Sequence, residues 1–179
     1  MHLDPIFILA SALTLAVLLA SAATHKVRAP ARFAKQLADY QLLPDSAVRP
    51  IARVIPLVEL MVAFALLVPA SRGGAALAAG GLIALYALAI AINLWRGRRD
   101  IDCGCAGPDQ AQPLRPALLL RNSALVGLAL LASVAPVARD MGVFDGFVSV
   151  AATAVLLLVY AAADGLQANS PLLLKLIGR

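Results

Sequence analysis

Two cysteines separated by one glycine are the residues of this chain best suited to chemistry. Cys103 and Cys105 occur in the segment Ile101–Pro108, IDCGCAGP. At this spacing two thiols can close a small, strained ring, and Gly104 removes the steric objection to unusual backbone angles. Strained, exposed disulfides have high reduction potentials and are the labile, catalytic ones. The pair therefore predicts thiol–disulfide exchange with a partner protein.

Other interpretations of the two cysteines stay open at this point. The thiols could be reduced and inert, or they could bind a metal. Zinc usually takes four ligands, and the only histidines are His2 and His25, so we expect no metal site. Nearby charges do not decide whether a thiol is activated, because three cations that favour the thiolate are matched by three anions that oppose it. These are Arg96, Arg98 and Arg99, and Asp100, Asp102 and Asp109.

Glu59 is an acidic residue well inside an apolar segment. A carboxyl group is costly in lipid and by default marks a functional site or an internal polar contact. Its candidate partners are His25, Lys26 and Arg53, although the pattern favours His25 and Lys26 as anchors at the membrane interface. We expect Glu59 to face inward, and we count it with the two cysteines as a candidate catalytic residue.

The composition places these residues in a membrane protein. The 179 residues are 61% hydrophobic and 14% charged, with a mean hydropathy of +0.87. Soluble domains are about 45–50% apolar and about 25% charged, so a soluble enzyme is excluded. Disorder requires low hydrophobicity and is excluded as well. The net charge of +5 is typical of basic loops beside membrane spans, and we expect no nucleic-acid partner.

Five unbroken apolar runs predict an all-α polytopic membrane helix bundle that forms a single domain over 1–179. An amphipathic helix at about 30–43 is expected on the membrane surface, because Phe33, Leu37 and Tyr40 recur at helical spacing. We expect a four-helix core plus one further helix, with the Gly- and Ala-rich third span at the centre. The C-terminal tail is expected to lie at the interface. The predicted spans are about 5–24, 51–70, 75–95, 116–137 and 147–163.

The basic residues predict an orientation for this bundle. With five spans, thirteen of the fifteen Lys and Arg residues fall on one face of the membrane, and Arg72 and Arg139 fall on the other. Because basic residues mark cytoplasmic loops, the N-terminus is expected outside and the C-terminus in the cytoplasm. The same rule places both cysteines near the cytoplasmic face.

A four-part pattern runs along the chain. It consists of SAATHK at 21–26, DYQLLP at 39–44, Pro56 with Glu59, and DCGCAG at 102–107. This pattern resembles the MauE family of methylamine utilisation proteins, a group within the DoxX-like membrane proteins. The resemblance extends over nearly the whole chain, and the Cys-Gly-Cys stretch after the third span is its most specific part.

The resemblance implies a redox-associated protein of the bacterial inner membrane. Members of the family are linked to maturation of the disulfide-rich small subunit of periplasmic methylamine dehydrogenase, together with the thioredoxin-like protein MauD. The expected partners are therefore lipid, a thioredoxin-like protein and a periplasmic client. Two alternatives stay open: a non-catalytic membrane scaffold or assembly factor, and a quinone-linked DoxX-like oxidoreductase, in which a quinone is the cofactor.

The charge bias and the implied role disagree about the cysteines. Disulfide chemistry in the periplasm suits thiols that face outward, whereas the basic residues place them inward. Either the charge rule fails for this chain, or electrons cross the membrane, or the cysteine loop folds back into the bundle.

Overall fold

The computed structural model describes residues 3–103 and 113–176, with side chains described as far as Asn169. The described part of the chain contains six helices and no β-strand, which confirms the predicted all-α fold. The helices are α1 (Pro5–Arg28), α2 (Pro30–Asp39), α3 (Asp45–Leu67), α4 (Arg72–Trp95), α5 (Pro116–Ser133) and α6 (Val143–Leu176).

Five of these helices are long and apolar enough to cross a membrane, as the sequence predicted. They are α1, α3, α4, α5 and α6. Their outer faces expose large apolar side chains, including Phe64, Leu85, Leu120 and Leu158. An exposed apolar surface of this extent would be a liability in water, whereas in a bilayer it contacts acyl chains.

The helix starts follow from local sequence. Proline occupies the first turn of α1, α2 and α5, where its missing N–H leaves no hydrogen bond unmade. The Asp4 carboxylate caps α1 by accepting from the Ile6 amide at 2.9 Å. Pro50 and Pro56 lie inside α3, which is tolerated in membrane helices because neighbouring groups satisfy the freed carbonyls.

The central helix is α1, so the expectation that the third span is central is wrong. Ala12, Leu15 and Ala23 of α1 are completely buried, and this helix packs on α3, α5 and α6. Only part of the small-residue pattern in α4 faces a neighbour. A Cβ added to Gly80 would lie 3.2 Å from the Cβ of Ala129 in α5, whereas one added to Gly81 would meet open space. Alanine is abundant throughout this chain, so the density of small residues did not identify the centre.

The last helix, α6, extends well beyond its predicted span of 147–163. It begins at Val143 and continues without a break to Leu176, so residues 170–176 of the tail expected at the interface belong to this helix. Asp164 lies within the helix and forms an ion pair with Arg121 of α5. α6 packs mainly on α1, as expected for a helix added to a four-helix core.

The predicted surface helix is present as α2, a ten-residue helix packed against α3 and the end of α1. Its apolar residue Phe33 and the following Tyr40 are buried, whereas Lys35 is exposed. α2 therefore covers the end of the bundle at which α1 and α4 finish, which is also the end that carries Cys103.

Candidate functional site

Cys103 lies at the base of the loop that follows α4. The amide of Leu114 donates to the carbonyls of Arg99 at 3.0 Å and Ile101 at 3.2 Å, and Asp102 pairs with Pro113 as an isolated β-bridge. These contacts join the two ends of the loop. Residues 104–112 are outside the described part of the chain, so the predicted ring between Cys103 and Cys105 stays a prediction.

One face of α2 holds the segment that contains Cys103. The side chains of Arg32 and Gln36 donate to the Asp102 carboxylate at 3.4 and 2.7 Å, and the Tyr40 hydroxyl donates to the Cys103 carbonyl at 3.2 Å. Arg32, Gln36 and Tyr40 follow one another at intervals of four residues and so share one helical face. The surface helix therefore positions the cysteine loop, a role that its amphipathic pattern alone did not reveal.

The cation that contacts the thiol is Arg121, one of the thirteen basic residues that were expected on one face of the membrane. Its Nη2 atom lies 3.9 Å from Cys103 Sγ. The guanidinium also forms an ion pair with Asp164 and lies 5.7 Å from the centre of the Tyr160 ring. Arg121 is 7% exposed and lies inside α5. An arginine within an apolar helix is itself a signal of an internal polar site.

Three of the six charged residues near the cysteines contact other groups in the described structure. Arg96 and Arg98 donate to the backbone carbonyls of Gln41 and Tyr40, so they hold the end of α2. The Asp102 carboxylate is occupied by Arg32 and Gln36 of α2. Arg121, which was not among the candidate residues, adds a cation beside the Cys103 thiol.

Glu59 faces inward, as expected, and is completely buried. Its Oε1 atom accepts from the Lys26 ammonium of α1 and from the Tyr86 hydroxyl of α4 at 2.7 Å. Lys26 is thus the partner among the three candidates. With 7% exposure it is a buried cation, so its assignment as an interfacial anchor is wrong. The rings of Phe33 and Tyr86 lie 5.2 and 4.9 Å from its Nζ atom, which compensates part of its lost hydration.

A polar cavity of about 210 Å³ lies between the spanning helices beside these residues. Its charged lining consists of two ion pairs, Lys26 with Glu59 and Arg121 with Asp164. Each pair is neutral as a whole. Two lining atoms, Glu59 Oε2 and Asn122 Nδ2, have no hydrogen-bond partner among the described residues. The polar lining side chains include Lys26, Glu59, Tyr86, Arg121, Asn122 and Asp164.

A second, apolar cavity of about 360 Å³ lies beneath α2. Its walls are aliphatic and aromatic, with Phe33 of α2, Ile55 of α3 and Leu85 of α4 as examples. Cys103 also lines this cavity, and Lys26 and Tyr86 line both cavities. The cysteine therefore borders a space of the size and character that organic ligands occupy, about 300–1,000 Å³.

A separate charged cluster closes the opposite end of the bundle. Arg139 donates to Asp4 through Nε and Nη2, both at 3.0 Å, and to Asp145 at 2.9 and 3.0 Å. The Arg139 hydrogen bonds, followed by the bond from the Ile6 amide, hold the pKa of Asp4 below its ordinary value. The hydrogen bonds of Arg139 to its carboxylate partners raise its own pKa above the ordinary value for arginine, and the bond to Asp145 has the larger effect. This cluster ties α1 to α6 and is remote from Cys103.

Comparisons with known proteins agree with the four-part sequence pattern. The family model described as "Methylamine utilisation protein MauE" matches residues 4–135. A methylamine utilization protein MauE from Methylophilus methylotrophus is 37% identical over 163 residues, which cover 90% of this chain and 86% of the relative. Its counterpart in Paracoccus versutus is 39% identical over 169 residues, covering 92% and 91%. No solved structure gives a significant match. With this coverage, the chain belongs to the MauE family of methylamine utilisation proteins.

Proposed function

We propose that the chain is a thiol–disulfide redox protein of the bacterial inner membrane that acts through Cys103 and Cys105. It supports disulfide formation in a periplasmic protein, such as the methylamine dehydrogenase small subunit, together with a thioredoxin-like protein of the MauD type. The observation that carries this proposal is the contact of Cys103 with Arg121, a buried cation inside a membrane helix. The relatives are named methylamine utilization proteins, and this name supports a role in methylamine utilisation.

The burial of Cys103 indicates that the two cysteines have different roles. Cys103 is 7% exposed, which leaves the first contact with a partner to Cys105. The Cys105 thiolate attacks a disulfide of the thioredoxin-like protein and forms a mixed disulfide, and one partner sulfur leaves as a thiolate. The Cys103 thiolate then attacks Cys105 Sγ, closes the Cys103–Cys105 bond and releases the second partner sulfur. The chain loses two electrons and two protons and the partner gains them; the reverse steps oxidise the partner.

Arg121 assists the step in which Cys103 is a thiolate. A unit positive charge about 4 Å from a unit negative charge is worth about 4 kcal/mol at an effective dielectric constant of about 20. The ion pair of Arg121 with Asp164 offsets part of this stabilisation. A stabilised Cys103 thiolate is both a more abundant attacking group and a better leaving group in the reverse reaction.

Glu59 is the third candidate catalytic residue. Its carboxylate holds Lys26 and Tyr86, and both of those side chains line the apolar cavity that Cys103 borders. Glu59 therefore acts on the thiols indirectly, through the charge and packing of Lys26 and Tyr86 in the wall of the apolar cavity. Glu59→Gln, which keeps the size of the side chain but removes the charge, tests this role directly.

The basic residues favour an orientation in which the cysteine end of the bundle faces the cytoplasm. In that orientation, electrons from a periplasmic client must cross the membrane to reach Cys103. A reporter protein fused after Arg179 should then be active in the cytoplasm, and both thiols should resist a membrane-impermeant reagent until the cells are opened. Rapid labelling in intact spheroplasts would contradict this orientation and place the exchange at the periplasmic face.

The apolar cavity favours a second candidate function, a quinone-linked oxidoreductase. Its volume of about 360 Å³ lies within the range of organic-ligand sites, and Cys103 is part of its wall. A quinone held by the aliphatic and aromatic wall of this cavity would supply an acceptor for the two electrons and two protons of the dithiol. Reoxidation of the thiols in isolated membranes would then require added quinone.

Single substitutions of the cysteines test redox chemistry against a scaffold role. In cells that depend on the client, Cys103→Ser and Cys105→Ser should each abolish disulfide formation in the client. Cys103→Ser should also accumulate a mixed disulfide with the thioredoxin-like protein, because the resolving thiol is missing, and Cys105→Ser should not. The control is Ala161→Ser on the exposed face of α6. Normal client maturation in both cysteine variants would establish the scaffold alternative instead.

A further inference from the structure

Glu59 and Asn122, which line the polar cavity, each have a buried polar atom that makes no hydrogen bond within the described part of the chain. Glu59 Oε1 receives two donors, whereas Glu59 Oε2 receives none. Across the same cavity, Asn122 Nδ2 donates to no described acceptor. Glu59 is completely buried and Asn122 is 4% exposed. Buried polar atoms without a partner cost about 1–3 kcal/mol each, so an occupant that accepts from Asn122 and donates to Glu59 is strongly favoured.

The size and charge of the cavity identify that occupant. A volume of about 210 Å³ is below the range of about 300–1,000 Å³ typical for organic ligands. At about 30 Å³ per molecule of liquid water, it holds roughly seven waters. The two ion pairs in its wall cancel in charge, so the cavity attracts neither an anion nor a cation as a bound ligand. Water supplies both the donor and the acceptor that the two unused atoms require.

The Glu59 carboxyl group is built asymmetrically for this environment. Lys26 and Tyr86 bind one oxygen of Glu59, a residue that lines the cavity, and leave the other oxygen without a partner in the described part of the chain. A carboxylate that served only to tie helices together would be expected to use both oxygens, since buried polar atoms are nearly always paired. The free oxygen is the position at which a proton can add while both ties are kept.

We propose that the polar cavity binds water and is a proton-exchange site, at which Glu59 Oε2 takes a proton from a hydronium ion in that water and returns it. In the uptake step a hydronium ion becomes water and the carboxylate becomes a carboxylic acid; the return step is the reverse. The cavity reaches the surface beside His25 and Asp164, which are partly exposed. The titratable and charged groups that line it are His25 and Lys26 from α1, Tyr86 from α4, Arg121 from α5, and Tyr160 and Asp164 from α6.

Solid-state NMR of the full chain in lipid bilayers tests hydration without a chemical reagent. Magnetisation transferred from water should reach the Asn122 side-chain amide several-fold faster than that of Asn93. Asn93 is the matched control, because it is also completely buried but donates to the Ala89 carbonyl at 3.1 Å within its own helix. Ala22→Leu, which fills the cavity, should slow the transfer to Asn122, and Ala84→Leu on the exposed face of α4 should not. Equal transfer to both asparagines in the wild-type protein would overturn the proposal.

The carboxyl carbon signal of Glu59 tests proton exchange in the same samples. It should shift when the bulk pH is changed, and the shift should be lost in Ala22→Leu. A hydrated cavity with a Glu59 signal that ignores bulk pH would also overturn the proposal. A chain with both cysteines replaced by serine should behave like the wild type, so this outcome is independent of the proposed thiol chemistry.

Discussion

Arg121 Nη2 lies 3.9 Å from Cys103 Sγ, although the two residues belong to different segments joined by a loop. The α5 helix thus supplies the cation, and the end of the α4 segment supplies the thiol. The same guanidinium is held by Asp164 and lies beside the ring of Tyr160, so α6 fixes its position. The surroundings of this thiol therefore depend on the packing of three consecutive helices, α4, α5 and α6.

Removing the guanidinium should slow the reaction of Cys103 with a small alkylating reagent. In a Cys105→Ser background, Arg121→Gln should reduce the alkylation rate about tenfold, equivalent to about 1.4 kcal/mol of thiolate stabilisation. Arg121→Lys should restore part of the rate because it keeps the charge. Arg98→Gln is the control, since Arg98 contacts Tyr40 and Asn93. Equal rates in Arg121→Gln and Arg98→Gln would contradict a role for Arg121 at the thiol.

The buried ion pair predicts a characteristic pattern of stabilities. Lys26→Met should destabilise the protein by about 3–5 kcal/mol, because it leaves the buried carboxylate of Glu59 without its cation. The double variant Lys26→Met with Glu59→Gln should recover most of that loss. Thermal denaturation in detergent provides the measurement. Additive losses in the double variant would show that the two side chains do not stabilise each other.

Glu59→Gln separates a redox role from a structural one. Glutamine can still accept from Tyr86, and the rings of Phe33 and Tyr86 still face Lys26, so we expect the variant to remain abundant in the membrane. Exchange at Cys103 and Cys105 should nevertheless slow, as measured by trapping their redox state at intervals after a pulse of oxidant. Wild-type exchange would remove Glu59 from the reaction. Loss of both abundance and exchange would assign it a purely structural role.

Two adjacent glycines of α4 should respond oppositely to enlargement. Gly80→Leu should weaken the packing of α4 on α5, because even a Cβ atom at this position would lie 3.2 Å from Ala129 Cβ. Gly81→Leu should be neutral or stabilising, since Gly81 faces open space and glycine is a poor helix former by about 1 kcal/mol. Melting temperatures of the two variants in detergent test this, and similar losses in both would contradict the helix contact.

The cluster at the opposite end of the bundle should loosen in acid. Arg139 lowers the pKa of Asp4 in the folded chain, so the contact is complete above the ordinary value of 3.8 and is lost as the pH falls through the lowered pKa. The Val137 amide, which donates to the Leu3 carbonyl at 2.8 Å, reports on it by hydrogen exchange. In Arg139→Gln, protection should be lost at a higher pH than in the wild type. Identical pH profiles would exclude control by Arg139.

Residues whose environment is set by local pattern could be predicted from the sequence. The apolar runs gave five spans because lipid admits few other solutions for such segments, and a carboxyl group in one of them required an inward position for Glu59. The periodicity of Phe33 and Tyr40 predicted α2 and its buried face. The Cys-Gly-Cys spacing identified the family that the comparisons then established.

Contacts between distant segments could not be predicted in the same way. Arg121 lies inside the predicted span 116–137, but which cation meets Cys103 depends on how α5 packs against the end of α4. Lys26 resembled an interfacial residue because its partner is 33 positions away in the chain. The centre of the bundle was also misplaced, since packing partners rather than residue size decide which helix is enclosed.

The closed base of the cysteine loop gives Cys103 a fixed position in the bundle. The Leu114 amide joins the two ends of the loop, and the Tyr40 hydroxyl donates to the Cys103 carbonyl. In the proposed exchange, a partner's sulfur therefore meets Cys105 first, and Cys103 keeps its place beside Arg121. The closed base then sets the order of the proposed steps in time, because Cys103 reacts only after the mixed disulfide at Cys105 has formed.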